Sequence, residues 1–426
     1  MFNMRHQRLK ATKYKLIGKD LGNFLKTFIF AVIIGAGVGA YAALFGLLIY
    51  FLTDLRQANG WLLLLLPVAG LLIMASYLAF KVYEPKGTNR VLRSISENEK
   101  LPPIMIPLIT LGTALTHLCG GSAGREGAAL QIGGAMGYWF GRAIKQDRKT
   151  LKILTMCGMS AAFAALMGTP ITAMVFALEV ISIGIMQYSA LVPCAISSVI
   201  GFEIAKLIGL QHESFTFITM PDFNWLTSLE SVGFGVLCAA ASIVFCVVLH
   251  KTEELFHKYL TNPYVGISFG GLIVVAFSVF LGTTDYNGVG SDIIASALSG
   301  DVVWYAFLAK IFLTAITLGA GYKGGEIIPT VFIGATFGCT VGPLLGLSPE
   351  VGAALGVCGL FCGVTNCPIS SLILCFEFFG FQGIPYFMIV CAISYRLSGY
   401  FSLYQGQKII YSKSNLTYIN RGSLKK

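Results

Sequence analysis

The stretch GGSAGREGAALQIGGAMG, residues 120–137, sets Arg125 and Glu126 side by side among glycines and alanines, between two apolar flanks. Two chemistries fit those residue types. Gly120, Ser122 and Gly124 spell G-x-S-x-G, the spacing of a serine-hydrolase nucleophile elbow, and His117 stands five residues before Ser122 as a candidate base. The other chemistry is anion binding. A helix that begins at these glycines aims unpaired N–H groups and about half a positive charge at whatever lies before it. Glu126 is then a carboxylate that can occupy the anion position itself, and leave it when protonated.

The elbow needs a strand ahead of the serine, whereas residues 103–119 read as an apolar helix. A membrane hydrolase using Ser122 therefore remains only a remote alternative. The anion reading gains from a second copy of the motif. GEIIPTVFIGATFG (325–338) lies over GREGAALQIGGAMG (124–137), matching at Gly124/Gly325, Ile132/Ile333, Gly133/Gly334 and Gly137/Gly338. No serine or histidine is kept around Gly325. SAAFAALMGTPITAMVFALEV (160–180) likewise resembles GLFCGVTNCPISSLILCFEFF (359–379), and the step from Pro170 to Glu179 equals that from Pro368 to Glu377. Short, glycine- or proline-interrupted apolar segments in corresponding halves point to inverted repeats around a midplane site. Gly124 and Gly127 in one copy, and Gly324 and Gly325 in the other, let backbone approach a ligand closely. Pro329 suits an early helical position, where its missing N–H costs nothing.

The elements that position these residues belong in a membrane. The chain of 426 residues is 55% hydrophobic and only 12% charged, against about 25% charged for a soluble domain; its mean hydropathy is +0.75. Residues 27–53 and 227–249 are long enough to cross a bilayer, and backbone in hydrocarbon must satisfy its own hydrogen bonds. The expectation is an all-α polytopic membrane protein. Some of its segments, 124–141, 169–183, 327–340 and 369–379, should be short and glycine-broken. The first apolar run is too long for a cleaved signal core.

Basic residues flank both ends: Arg5, Arg8, Lys10, Lys13, Lys15, Lys19 and Lys26 at the start, and Lys408, Lys413, Arg421, Lys425 and Lys426 at the end. This bias places both termini in the cytoplasm and reads the net charge of +10 as a topology signal, with no nucleic-acid partner. The expected organisation is a basic cytoplasmic segment (1–27), one transmembrane domain (28–412, in halves of about 28–215 and 225–412), and a short tail (413–426) without a regulatory domain. The eleven cysteines read as small apolar packers, with no metal site and no cofactor.

GSAGREGAALQ together with GGEIIPTVF resembles the hallmarks G-R-E-G-P and G-x-F-x-P of the CLC family of chloride channels and proton-coupled anion antiporters. GTPITAMVFALEV, TNCPISSLILCFEFF and FSLYQGQKI extend the resemblance over roughly residues 28–412. It implies an all-helical homodimer in the cell membrane, each subunit an inverted-repeat fold with its own pore. It also implies a non-enzymatic function: exchange of a small inorganic anion, chloride or fluoride, for protons, or passive conduction of the anion. Carried across, Glu126 matches the gating glutamate, Tyr404 the tyrosine facing the central anion, and the N–H groups of Ile327 and Ile328 the second helix-end donors.

Four positions depart from the family pattern. Ala128 replaces the proline of G-R-E-G-P. EPKGTNRVL (84–92) stands where G-S-G-I-P is usual, so Lys86 and Gly87 take the place of the anion-facing serine. Val180 follows Glu179 where many antiporters carry an inner proton glutamate. Glu326 replaces an apolar residue in G-x-F-x-P. The last three changes resemble the fluoride-exporting branch, in which a second carboxylate could share or relay a proton, although that branch tends to have threonine where Ile328 stands. Glu179 and Glu377, ending matched segments, read as structural.

Overall fold

The computed structural model describes residues 2–82, 87–212, 220–415 and 417–422, with side chains from residue 22 onward. Sixteen α-helices run through these residues in two series of eight. The first comprises α1 (Phe2–Ala58), α2 (Leu66–Ala79), α3 (Thr88–Ser96), α4 (Met105–Leu118), α5 (Glu126–Ala143), α6 (Arg148–Met167), α7 (Pro170–Glu179) and α8 (Leu191–Ile208). The second comprises α9 (Trp225–Tyr259), α10 (Pro263–Leu281), α11 (Ser291–Leu298), α12 (Ala306–Gly319), α13 (Ile327–Val341), α14 (Pro349–Thr365), α15 (Pro368–Phe379) and α16 (Ile384–Leu397). Among the described residues seven helices are long and apolar enough to cross a membrane. Large apolar side chains such as Trp225, Leu207 and Phe280 are over 80% exposed, as lipid-facing positions are.

The same local chemistry builds corresponding parts of the two series. α6 ends at Gly168 and α14 at Asn366, both left-handed (φ 73° and 58°). Glycine and asparagine tolerate that conformation better than other residues do. One extended residue follows, Thr169 (φ −122°) or Cys367 (φ −117°), and a proline then opens α7 or α15 at N1. The Gly-Thr-Pro and Asn-Cys-Pro triplets are thus a helix stop and a helix start in three residues.

Packing repeats as well. α5 crosses α6 at Gly133, Gly137 and Gly158, and α13 crosses α14 at Gly334, Gly338, Gly352 and Gly356. A methyl at any of these seven positions would drive into backbone of the facing helix. Small residues at a crossing let helices in lipid approach closely enough for dispersion to hold them. The matches Gly133/Gly334 and Gly137/Gly338 are therefore helix-crossing positions.

The fold also carries a small three-stranded sheet, which an all-helical expectation omits. β1 (Ser182–Ile183) pairs in parallel with β2 (Lys408–Tyr411), and β2 pairs antiparallel with β3 (Tyr418–Gly422). It ties the chain after α16 to the turn after α7.

Candidate functional site

Gly124 and Gly325 pair as a two-residue antiparallel bridge: Gly124 N–H donates to the Gly325 carbonyl at 2.7 Å, and Gly325 N–H to the Gly124 carbonyl at 2.6 Å. Two residues beyond each glycine a helix begins, α5 at Glu126 and α13 at Ile327. The two helix N-termini therefore face one short crossing of backbone. A Cβ on Gly325 would stand 2.7 Å from Gly127 Cα, and one on Gly127 2.7 Å from Gly325 Cα. Only glycine permits this approach.

Glu126 is 2% exposed, as is Arg125. The Arg125 backbone N–H donates to Glu126 Oε2 at 3.0 Å, and Arg125 Nε to Oε1 at 3.3 Å. The carboxylate thus sits on the N-terminus of its own helix, in the place an anion would take. Arg125 is held in turn: its guanidinium lies 3.9 Å from the Tyr50 ring centroid and donates to the Tyr50 hydroxyl at 2.7 Å.

Glu326 is the N-cap residue of α13, and its carbonyl accepts from Thr330 N–H at 3.1 Å. Its side chain borders a cavity of about 750 Å³ that also touches Gln131, Lys323, Gly87 and Glu253. Ile327 and Ile328, 1% and 3% exposed, lie in the first turn of α13, where N–H groups have no acceptor within the helix. Gly87, the N-cap of α3 with φ 53°, is near this cavity too; a Cβ there would meet only Gln131 Nε2, at 3.8 Å. Lys86 lies outside the described residues.

Tyr404 is fully buried. Its ring stands edge-on to Phe176 at 6.4 Å, and Phe176 stacks on Phe163 at 5.3 Å. Hydrogen bonds fix its loop from several sides: Leu403 N–H to the Val364 carbonyl at 2.9 Å, Gly406 N–H to Asn89 Oδ1 at 2.8 Å, and Gln407 Nε2 to the Thr365 carbonyl at 3.0 Å. Asn89 belongs to α3, so the Tyr404 loop and the segment after Lys86 are joined directly.

Ser122 makes no nucleophile. Its hydroxyl donates to the Tyr286 carbonyl at 2.8 Å and lies 3.1 Å from Thr314 Oγ1, while its N–H donates to Thr317 Oγ1 at 3.1 Å. It pins the loop before α5 to α12, a helix precedes it where an elbow needs a strand, and His117 does not reach it. Glu179 and Glu377 are structural at helix ends. Glu179 accepts from Ile369 N–H (3.1 Å), Ser370 N–H (2.9 Å) and Ser370 Oγ (2.6 Å); Glu377 accepts from Ile171 N–H (2.9 Å), Thr172 N–H (2.7 Å) and Thr172 Oγ1 (2.6 Å). Each closes one short helix and caps the other.

Tyr50, Gln131 and Lys323 complete the surroundings, and sequence reasoning missed them. Gln131 carried a signal, as the one polar side chain in the apolar middle of α5; its Nε2 donates to Thr88 Oγ1 at 3.3 Å.

Broken helices whose N-termini converge on a backbone crossing, with a carboxylate seated at one of them, define a polytopic membrane protein for the passage of small anions. Residues 71–399 match the voltage gated chloride channel family, and the chain belongs to that family. It is 30% identical over 382 residues, 88% of this chain and 84% of the relative, to a chloride/fluoride channel protein of Pseudomonas syringae pv. tomato. Among solved structures it is similar to a CLC-type fluoride/proton antiporter (TM-score 0.87, 32% identity, 91% of this chain and 98% of the other). A slow cyanobacterial chloride/proton antiporter shares the fold at TM-score 0.75 and 18% identity, over 87% of this chain and 94% of the other.

Proposed function

We propose that this CLC-family anion transporter exchanges fluoride for protons, with Glu126 as the gate that couples them. The observation that carries the reading is the Glu126 carboxylate on the N-terminus of α5, 3.0 Å from the Arg125 N–H. Ionised, it fills the helix-end anion position; protonated, it loses its attraction to that dipole and yields the position to an anion. An intramembrane carboxylate is costly and marks a functional position, and here it takes up a proton when it yields to the anion. Ile327, Ile328 and Gly127 offer backbone N–H groups, and Tyr404 its hydroxyl, along the anion path. Glu326, beside a cavity broad enough for water, passes the proton onward.

Fluoride is favoured over chloride by Glu326 at the start of α13, by the loss of the usual serine near Gly87, and by the likeness to a fluoride/proton antiporter. We assign both termini to the cytoplasm on the basic flanks, and a homodimer on the family resemblance. Ile171 and Ile369, 53% and 47% exposed at the same step of α7 and α15, offer matched apolar contacts for a two-fold partner. Light scattering in detergent tests this: it should give twice the 45.8 kDa chain mass.

Transport is tested with purified protein in liposomes loaded with fluoride or with chloride, following the anion with an electrode and protons with a pH dye. Fluoride efflux with proton uptake, and little chloride movement, is the expected result. Equal movement of both anions would remove fluoride preference, and anion flow without protons would make the protein a channel.

A further inference from the structure

The loop before α5 is covered by the turn 286–290, and Arg56, Lys310, Arg125 and His117 gather around them. Asn287 Nδ2 donates to the Gly120 carbonyl at 2.6 Å, and Gly288 N–H to the Gly121 carbonyl at 3.0 Å. Lys310, fully buried on α12, donates to the carbonyls of Tyr286 (3.1 Å), Gly288 (2.7 Å) and Val289 (3.2 Å), and lies 4.8 Å from the Phe332 ring centroid. Both polar groups of Gly288 are therefore used, and its backbone, at φ 58°, is fixed.

Two neighbours of Gly288 are not satisfied in this way. Arg56, at the end of α1 and 6% exposed, has no partner for Nε; His117, fully buried at the end of α4, has no well-formed hydrogen bond at either ring nitrogen, though it lies near the Gly124 backbone. Buried polar groups are nearly always partnered, and buried charges paired. Yet no carboxylate pairs with Arg56 or Lys310 among the described residues, and the charged groups acting on His117 are Arg125, Arg56 and Lys310, all cations. Asp54 and Asp285, the acids nearest in sequence to Arg56 and Gly288, are exposed, and Glu126 is engaged by Arg125.

The space beside these groups is open. A Cβ placed on Gly288 would have only two neighbours within 4 Å: Arg56 Nη2 at 3.7 Å and His117 Nδ1 at 3.8 Å. That point lies between two donors, in a region of uncompensated positive charge, at a distance that a small shift turns into hydrogen bonds to a halide. A neutral imidazole suffices as its Nδ1–H tautomer, in which the nitrogen facing this space carries the proton.

We propose that Arg56 and His117, closed by the Gly288 turn, form a second halide-binding site, separate from the helix-end site and on the α1 side of the Arg125–Glu126 gate. An anion held there waits beside the gate, and raises the chance that the helix end is refilled when Glu126 leaves. The occupancy stands apart from the exchange reading; only this loading role rests on it.

Crystals of the whole protein grown in bromide test the site by anomalous diffraction. Two donors without a close-fitting cage do not select among halides, so a peak is expected between Arg56 and His117. Arg56→Gln should abolish it by removing charge, and Gly288→Ala by putting a methyl into the space. The two variants act differently, so misfolding of one leaves the other informative. No peak in the wild-type protein overturns the site, and so does a peak that survives both substitutions, which would be an adventitious ion only. In liposomes, Arg56→Gln should raise the KM for anion supplied from that side about tenfold, the loss of one charged hydrogen bond, with kcat within about twofold. An unchanged KM overturns the loading role. Failure of the exchange reading looks different: no proton movement in the wild-type protein, whatever the bromide map shows.

Discussion

Gly124 and Gly325, far apart in sequence, exchange both of their backbone hydrogen bonds, at 2.7 and 2.6 Å. This bridge sets the distance between the starts of α5 and α13, and it exists because no side chain intervenes. Gly325→Ala would place a methyl 2.7 Å from Gly127 Cα. Backbone on the far side cannot rotate away, so overpacking should cost about 1–3 kcal/mol. The expected result is a lower melting temperature in detergent together with lost transport; an unshifted melting curve would show that the two helix starts are not locked.

Glu179 and Glu377 present the same relationship between α7 and α15. Each carboxylate receives three hydrogen bonds from the first turn of the other helix. Hydrogen bonds to a charged group are worth about 1.5–3 kcal/mol each and do not add fully. Glu179→Ala should therefore destabilise by at least about 2 kcal/mol, and Glu179→Gln by less, because the amide keeps one acceptor oxygen. Thermal unfolding of the two variants gives the order; equal losses would mean that charge, not acceptor count, holds the helices.

Tyr404→Phe keeps the ring packed on Phe176 and removes only the hydroxyl. Anion affinity should fall about tenfold, near 1.4 kcal/mol, with the melting temperature unchanged. Calorimetric titration of the anion into wild-type protein and variant measures this directly.

Asp147 lies outside the spanning helices, at the N-cap of α6, and accepts from Thr150 N–H at 3.3 Å. The Thr150 side chain, aided by backbone N–H groups, holds its carboxyl below the usual aspartate range. A depressed folded-state pKa gives stability that is present above the ordinary aspartate pKa and is lost as pH falls through the folded value. Asp147 is exposed, so Asp147→Ala should cost only about 0.5 kcal/mol at neutral pH, the low end for a cap. The gap between variant and wild type should close in acid. A gap that is constant with pH would mean the cap does not depend on charge.

Much of the site was legible because it is built from local signals. Glycine before a helix start, an isolated acid in an apolar run, and proline after a helix stop each mark one position. The matched spacings Gly124/Gly325 and Pro170/Pro368 revealed the pairing of the halves. The Arg125–Tyr50 stack was not legible, since Tyr50 sits toward the C-terminal end of α1 as one more aromatic in an apolar run. The Arg56–His117–Gly288 cluster brings together α1, α4 and the turn 286–290, three elements with no periodicity in common. β1 has only two residues and pairs with a strand near the far end of the chain, so neither length nor alternation announced it. Glu326 was visible as an acid out of place, but its cavity is made by residues of α2, α3 and α9.

The most direct test of the account is proton uptake driven by a fluoride gradient in liposomes containing Glu126→Gln. Glutamine fits the same space and cannot carry a proton, so the account predicts that proton uptake disappears while any remaining fluoride flux becomes insensitive to pH. Proton uptake that still follows fluoride efflux in this variant would contradict the assignment of Glu126 as the coupling residue.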